Sequence, residues 1–148
     1  MRSNTIGIRN TAIGVSALFS NTSGNCNVSI GYRSLYANTT GACNTAVGSL
    51  ALLSNTTGIA NTAIGVCALK SNTVGLVNVA IGNYALQANT TGGKNVAIGV
   101  NSLQANSTGD SNIAIGYRAL LNNITGNGNT ALGTYALCCN TRSKHNRK

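Results

Sequence analysis

A 17-residue segment, first met as NTAIGVSALFSNTSGNC at Asn10 to Cys26, recurs without insertion or deletion from Asn27, Asn44, Asn61, Asn78, Asn95, Asn112 and Asn129. Residues 4–9 match the last six positions of a preceding copy, and the final copy stops after Asn140-Thr141. A fixed period of this kind marks a chain that stacks one supersecondary unit on the next rather than closing around a single core.

Written as N-T-A-I-G-x-x-A-L-x-x-N-T-T-G-x-x, the copies keep Asn at positions 1 and 12, Gly at 5 and Leu at 9 throughout, and Gly at 15 in every complete copy. Positions 2 to 4 alternate Thr, Val or Ile, then Ala or Ser, then Ile, Val or Leu, which is the period-2 pattern of a short strand. The two glycines suit corners, where a positive φ or a close backbone approach is needed. The expected fold is therefore all-β, a parallel β-solenoid of 17-residue coils over residues 1–141, followed by a basic tail at 142–148. Positions 6 to 11 fit an extended segment or, alternatively, a one-turn helix closed by a left-handed Asn at position 12.

In-register rungs ~4.8 Å apart would make a rod of ~38 Å and turn each position into a column. On this reading Ile or Val at position 4 and Leu at position 9 form apolar ladders inside the coil, and the asparagines form amide ladders. Aromatic residues are only 4% of the chain and Trp is absent, so the core must be made of small aliphatic groups. So thin a core offers little surplus over chain entropy. The alanine column at position 3, expected to face away from position 4, offers a flat surface for packing against copies of the same chain. Threefold association is the economical arrangement. No polar capping repeat is visible at either end, so an axial neighbour in a fibre or virion is expected to continue the rod.

The NTAIG, NVAIG and NIAIG blocks at 10–14, 78–82, 95–99 and 112–116 resemble the SVAIG-type repeats of YadA-like head domains in trimeric autotransporter adhesins. The longer string NTAIGxxALxxNTTG is similar to repeats in tail-fibre-like proteins of phages, bacteria and large DNA viruses. The resemblance covers residues 4–141 and implies a homotrimeric, left-handed parallel β-roll used as a fibre shaft or adhesive head. It differs from the adhesins in its 17-residue period and in lacking a coiled-coil stalk and a membrane-barrel anchor, and from many tail fibres in lacking an intramolecular chaperone domain. With no apolar signal segment and no membrane span visible, the expectation is a virion or extracellular fibre component without membrane insertion, touching a host-surface glycan or receptor.

Residues able to do chemistry are few. Asp110 is the sole acid and His145 the sole histidine, so neither a carboxylate pair nor a nucleophile with its base can be assembled, and no enzyme, cofactor or metal site is expected. Cys26 and Cys43 share position 17 of adjacent rungs and could form a disulfide or remain thiols. Cys67, Cys138 and Cys139 show no C-x-x-C spacing for zinc. Glycosylation sequons fall at Asn21, Asn27, Asn38, Asn55, Asn89, Asn106 and Asn123, mostly because position 12 opens the repeat's own Asn-Thr-Thr string.

The net charge of +9 arises from Lys+Arg 10 against Asp+Glu 1. Arg33 and Arg118 share position 7, Lys70 and Lys94 lie elsewhere, and the densest cluster is Arg142, Lys144, Arg147 and Lys148. Charge along the repeats is thus scattered rather than packed into one groove; Arg33, Arg118 and the four terminal cations are candidate contacts for an anionic partner, or the tail simply keeps the chain soluble. Nucleic-acid recognition lacks any motif here. Two further readings remain: a glycan- or ice-binding module presenting threonine columns at positions 2, 13 and 14, and a basic virion protein that contacts the genome through its tail.

Overall fold

Strands of three residues can make a sheet only if something else holds them in register, and in this protein the rest of the repeat does so. The computed structural model describes residues 2–139. Its strands are β1 (Thr11–Ile13), β2 (Val28–Ile30), β3 (Thr45–Val47), β4 (Thr62–Ile64), β5 (Val79–Ile81), β6 (Val96–Ile98), β7 (Ile113–Ile115) and β8 (Thr130–Leu132). They form one parallel sheet in chain order, each residue paired with its equivalent in the next copy, as in Ala80 with Ala97. Parallel neighbours need a crossover of a dozen or more residues, and the remainder of each 17-residue copy supplies it by running round the coil. The solenoid read from the repeat is thus the fold, and no helix occurs among the described residues.

Which side of the strand faces inward is the reverse of the expectation. Ala46, Ala63, Ala80, Ala97 and Ala114 of position 3 are fully buried, whereas Ile81 and Ile98 of position 4 are each 36% exposed and Ile13, in the first strand, 58%. The Leu of position 9 enters the same interior from the opposite wall, and Leu35, Leu52, Leu69, Leu86, Leu103 and Leu120 are fully enclosed. With leucines reaching across so narrow a coil, a methyl group is what the strand can place against them. The alanine column is therefore core, and the β-branched columns form the outer face of the sheet.

Asparagine fills the corners of that interior. In the position-12 column, Asn72 Nδ2 donates to Asn55 Oδ1 at 2.9 Å and to Gly75 O at 3.0 Å, and its own Oδ1 accepts from Asn89 Nδ2 at 2.8 Å. In the position-1 column, Asn61 Nδ2 donates to Asn44 Oδ1 at 3.2 Å and to Gly75 O at 2.8 Å, while the Asn61 backbone N–H also donates to Asn44 Oδ1. Both columns thus meet at one carbonyl per rung. An unpaired buried amide group costs ~1–3 kcal/mol, and here both the donor and the acceptor of each side chain are engaged. Where Ser29 replaces the core alanine, Ser34 replaces the alanine opposite, and the two hydroxyls lie 2.6 Å apart. The pair keeps an otherwise apolar core free of a stranded hydroxyl.

Positions 6 to 11 form neither the extended segment nor the one-turn helix expected, but a run of turns. Left-handed backbone occurs at positions 7, 9 and 17, not at the position-12 Asn: Arg33 has φ 52°, Leu35 47° and Cys43 58°. A left-handed non-glycine residue costs ~1–2 kcal/mol, and full burial of a leucine returns ~1.5–3 kcal/mol. The leucine column therefore tolerates the strain. The conformation has a function in the coil, because it turns the chain while its amides stay along the rod: Arg33 N–H donates to Val15 O of the rung before, and Leu35 N–H to Ala51 O of the rung after.

The two glycine columns do different work. Gly65 has φ +133°, and a Cβ there would lie 2.6 Å from the carbonyl of Gly82. Gly75 has no positive φ, yet a Cβ would meet Gly92 O at 2.5 Å and the Asn72 amide. Substituting Gly65→Ala is expected to remove stable folding, while Gly128→Ala, where φ is +66° and nothing lies within 4 Å, costs only ~1–2 kcal/mol; thermal unfolding followed by circular dichroism compares them. Asn72→Leu strands the Asn55 acceptor and the Asn89 donor, so urea unfolding should show a loss of ~2–6 kcal/mol.

Candidate functional site

Because the interior varies little beyond Ser29, Ser34 and Ser102 in place of alanine, most differences between copies are on the outside, where three walls can be told apart. The first is the outer face of the sheet. Columns 2, 4 and 6 carry no charged residue in any rung, and within them Ile64, Val66, Ile81, Ile98, Val100 and Ile113 are 36–42% exposed. Its polar members, such as Thr45, Ser49, Thr62 and Asn83, are all neutral, and a largely apolar strip of this length is the kind of surface that marks an interaction site.

The second wall lies past the position-5 corner. Positions 7 and 10, one turn apart, point outward, and with position 6 they hold every aromatic residue of the chain: Phe19, Tyr32, Tyr36, Tyr84, Tyr117 and Tyr135. Phe19 and Tyr36 stack at 5.1 Å with 14° between their planes, and Tyr117 meets Tyr135 edge-on at 5.3 Å. Arg2 lies over Phe19 at 5.8 Å. Arg33 lies over Tyr32 at 5.6 Å and Tyr36 at 5.1 Å, and Arg118 over Tyr117 at 5.2 Å and Tyr135 at 6.0 Å. Lys70 shares column 10. The cations that sequence order scatters are therefore gathered by the coil, and only Arg9 and Lys94 among the described ones stand apart, in column 17. Arg118 Nε and, one rung earlier in the same column, Asn101 Oδ1 are buried without a hydrogen-bond partner.

The third wall comprises columns 13 to 17. Thr39, Thr56 and Thr73 of column 13 donate their hydroxyls to carbonyls of the next rung at 3.1 Å, so these groups serve the stack. Column 14 is exposed but interrupted by Val74, and the even threonine array required of an ice binder is not formed. Asp110, the sole acid, accepts from Gly93 N–H at 2.6 Å, as Asn127 does from Asp110 N–H in the same column. It lines a surface cleft of ≈ 360 Å³ with Leu76, Thr91, Gly93, Lys94 and Ser111. Its carboxylate is committed to the backbone ladder and faces no second titratable acid.

The cysteines and sequons complete the inventory. Cys26 and Cys43 are exposed free thiols in column 17, so the disulfide considered from their spacing is not formed. Cys138 and Cys139 place their sulfurs 3.3 Å apart. The Cys138 thiol is raised above its ordinary value, first by donating its hydrogen bond to Cys139, with desolvation and the charge of a Cys139 thiolate adding to it. No group of three or more His, Cys, Asp or Glu that could hold a metal occurs among the described residues. Asn21, Asn38, Asn55, Asn89, Asn106 and Asn123 are fully buried, and so is Asn27. Each of the six position-12 side chains donates to an Asn of the preceding rung and to its own glycine carbonyl, as Asn55 Nδ2 does to Asn38 Oδ1 and Gly58 O. A glycan on that nitrogen cannot coexist with the ladder, which corrects the reading of these sites as glycosylation acceptors. Arg142, Lys144, Arg147 and Lys148 lie outside the described residues. No helix among the described residues is long and apolar enough to cross a membrane.

Compared with family models, with curated proteins and with solved structures, the chain finds no match in any of the three. In the native state a maleimide is expected to label Cys26, Cys43 and Cys139 promptly, whereas Cys67, 7% exposed within column 7, should react only after denaturation. Peptide mapping by mass spectrometry reads the order of labelling.

Proposed function

We propose that this chain is a structural or attachment segment of a virion or cell-surface fibre, a shaft or head in which three identical rods associate through the outer faces of their sheets. The observation that carries the reading is the uncharged strip of columns 2, 4 and 6. A rod that met water on every side would gain solubility from charge there, and none is present in eight successive rungs. The coil's own interior is thin, built of alanine, leucine and asparagine, so burying a second apolar layer between chains supplies stabilisation that one chain lacks.

Flat parallel sheets of identical rungs suit this kind of packing. Equivalent residues recur at one spacing along the rod, so one satisfactory contact between chains is repeated at every rung. The resemblance to trimeric β-roll repeats favours three chains over two. A fibre role also agrees with the poverty of catalytic groups, since Asp110 is the only acid and is tied to Gly93 N–H.

Analytical ultracentrifugation of the purified full chain tests the reading. The expected species has three times the chain mass, and a wild-type protein that stays at the single-chain mass at micromolar concentration overturns it. Replacing Ile81→Lys together with Ile98→Lys should shift the mass to one chain, since each lysine would otherwise be buried without a partner at a cost of several kcal/mol. Both side chains are partly exposed on the isolated rod, so far-UV circular dichroism of the variant is expected to retain the solenoid signal.

A further inference from the structure

The wall formed by columns 6, 7 and 10 combines three properties found together nowhere else on the described rod. It holds all the aromatic rings, it holds Arg2, Arg33, Lys70 and Arg118, and it holds no carboxylate, since Asp110 belongs to column 16. The guanidinium groups of Arg33 and Arg118 are fixed by ring contacts and make neither a hydrogen bond nor an ion pair within the described residues. Arginines ordered in this way keep their forked donors available for a planar anion.

We propose that this wall binds a linear acidic polysaccharide laid along the rod, with its carboxylate or sulfate groups on Arg33, Lys70 and Arg118. Two arguments select this ligand. The first is spacing: Arg2, Arg33, Lys70 and Arg118 sit in successive rungs separated by two, two and three steps, so the charges recur every ~10–14 Å. Duplex DNA carries a phosphate every ~3.4 Å along each strand, far denser than these cations can match, whereas a polysaccharide with one charge in every second sugar is sparsely charged in the same way.

The second argument is chemical. Bases of a single-stranded nucleic acid stack on open ring faces, but here guanidinium groups lie over Tyr36 and Tyr117, and Phe19 and Tyr36 cover one another. Apart from the ring of Tyr84, which is 40% exposed, what the wall leaves for a ligand is ring edges, phenolic hydroxyls and amides. Between Lys70 and Arg118 the only groups of columns 7 and 10 are Tyr84, Gln87, Asn101 and Gln104, and Gln104 Nε2 donates to Gln87 Oε1 at 2.9 Å. Such a neutral run of donors and acceptors suits the hydroxyls of uncharged sugar units between two acidic ones. The groups offered to the ligand, from Arg33 to Arg118, lie in columns 7 and 10, outside the strip of columns 2, 4 and 6, so the proposal requires the folded rod alone and stands or falls independently of trimer formation.

Binding of the full chain to four fluorescent probes tests it: hyaluronan oligosaccharides, with one carboxylate per disaccharide, κ-carrageenan oligosaccharides, with one sulfate per disaccharide, neutral dextran, and a single-stranded DNA oligomer of equal charge. The expected result is salt-sensitive binding to hyaluronan, to κ-carrageenan or to both, which also identifies the anion, with none to neutral dextran. Arg33→Gln combined with Arg118→Gln should weaken it at least ~10-fold, whereas Arg9→Gln with Lys94→Gln, which removes the same charge from column 17, should change it less than ~2-fold. Should the first pair disturb folding, Lys70→Gln alone is expected to give a smaller loss in the same assay. The proposal is overturned if neither acidic glycan binds, if the two double variants lose affinity equally, or if the DNA oligomer binds more tightly than both glycans.

Discussion

An asparagine amide can be buried only where its donors and its acceptor are both engaged, and this rod buries two asparagines in every rung. Their Nδ2 groups converge on a single glycine carbonyl, as Asn61 and Asn72 do on Gly75, and each Oδ1 receives the next rung. A slip of one residue would strand both ladders at once, at ~1–3 kcal/mol for each buried group left unpaired. The ladders therefore set the register, and three-residue strands, too short to set it themselves, follow. The period of 17 without insertion is the mark of that constraint on the sequence, because any extra residue would displace every Asn beyond it.

Close stacking then dictates the glycines. Column 15 needs Gly because the next rung's carbonyl occupies the place of a side chain, and column 5 needs it for both that reason and its positive φ. Strain elsewhere is accepted, not avoided. Leu35, Leu52 and Leu69 keep left-handed φ values of 47–50° because a leucine there fills the interior and because the turned peptide continues the hydrogen bonds along the rod. The stack over-determines the conformation, which is the condition under which such backbone persists.

The architecture was legible in the sequence because repetition and the alternation of positions 2 to 4 both point to stacked strands. Sidedness was not. Period-2 alternation assigns Ala80 and Ile81 to opposite faces without saying which face is inside, and the usual preference for burying the larger residue gave the wrong answer. What decides the matter is the leucine of the opposite wall, which leaves room for a methyl group alone. The left-handed positions were hidden for a similar reason: Arg33, Leu35 and Cys43 carry none of the composition that ordinarily marks positive φ. The grouping of Arg33, Tyr36, Lys70 and Arg118 could have been found by drawing columns 7 and 10 side by side, since a turn brings residues three apart together. Read along the chain, the same cations look dispersed.

Columns that stack are held nearly constant, and columns that face outward are free to differ, so the variable positions carry whatever distinguishes one rung from another. The sheet face varies only among uncharged residues, from Thr62 to Val79 and from Val100 to Tyr117, as a surface repeated against like surfaces would. Columns 7 and 10 vary far more, from Ser16 to Arg33 to Tyr84 and from Phe19 to Lys70 to Gln104. A wall that only had to be wetted could have been filled with the Asn, Ser and Thr abundant elsewhere in the chain. Concentrating every ring and most of the described cations on one side places its two sparse resources, aromatic surface and positive charge, where each orders the other through contacts of 5.1–6.0 Å. The division between a face made uniform and a face made distinctive follows from the geometry of the coil, in which the position-5 corner separates the strand from the turns.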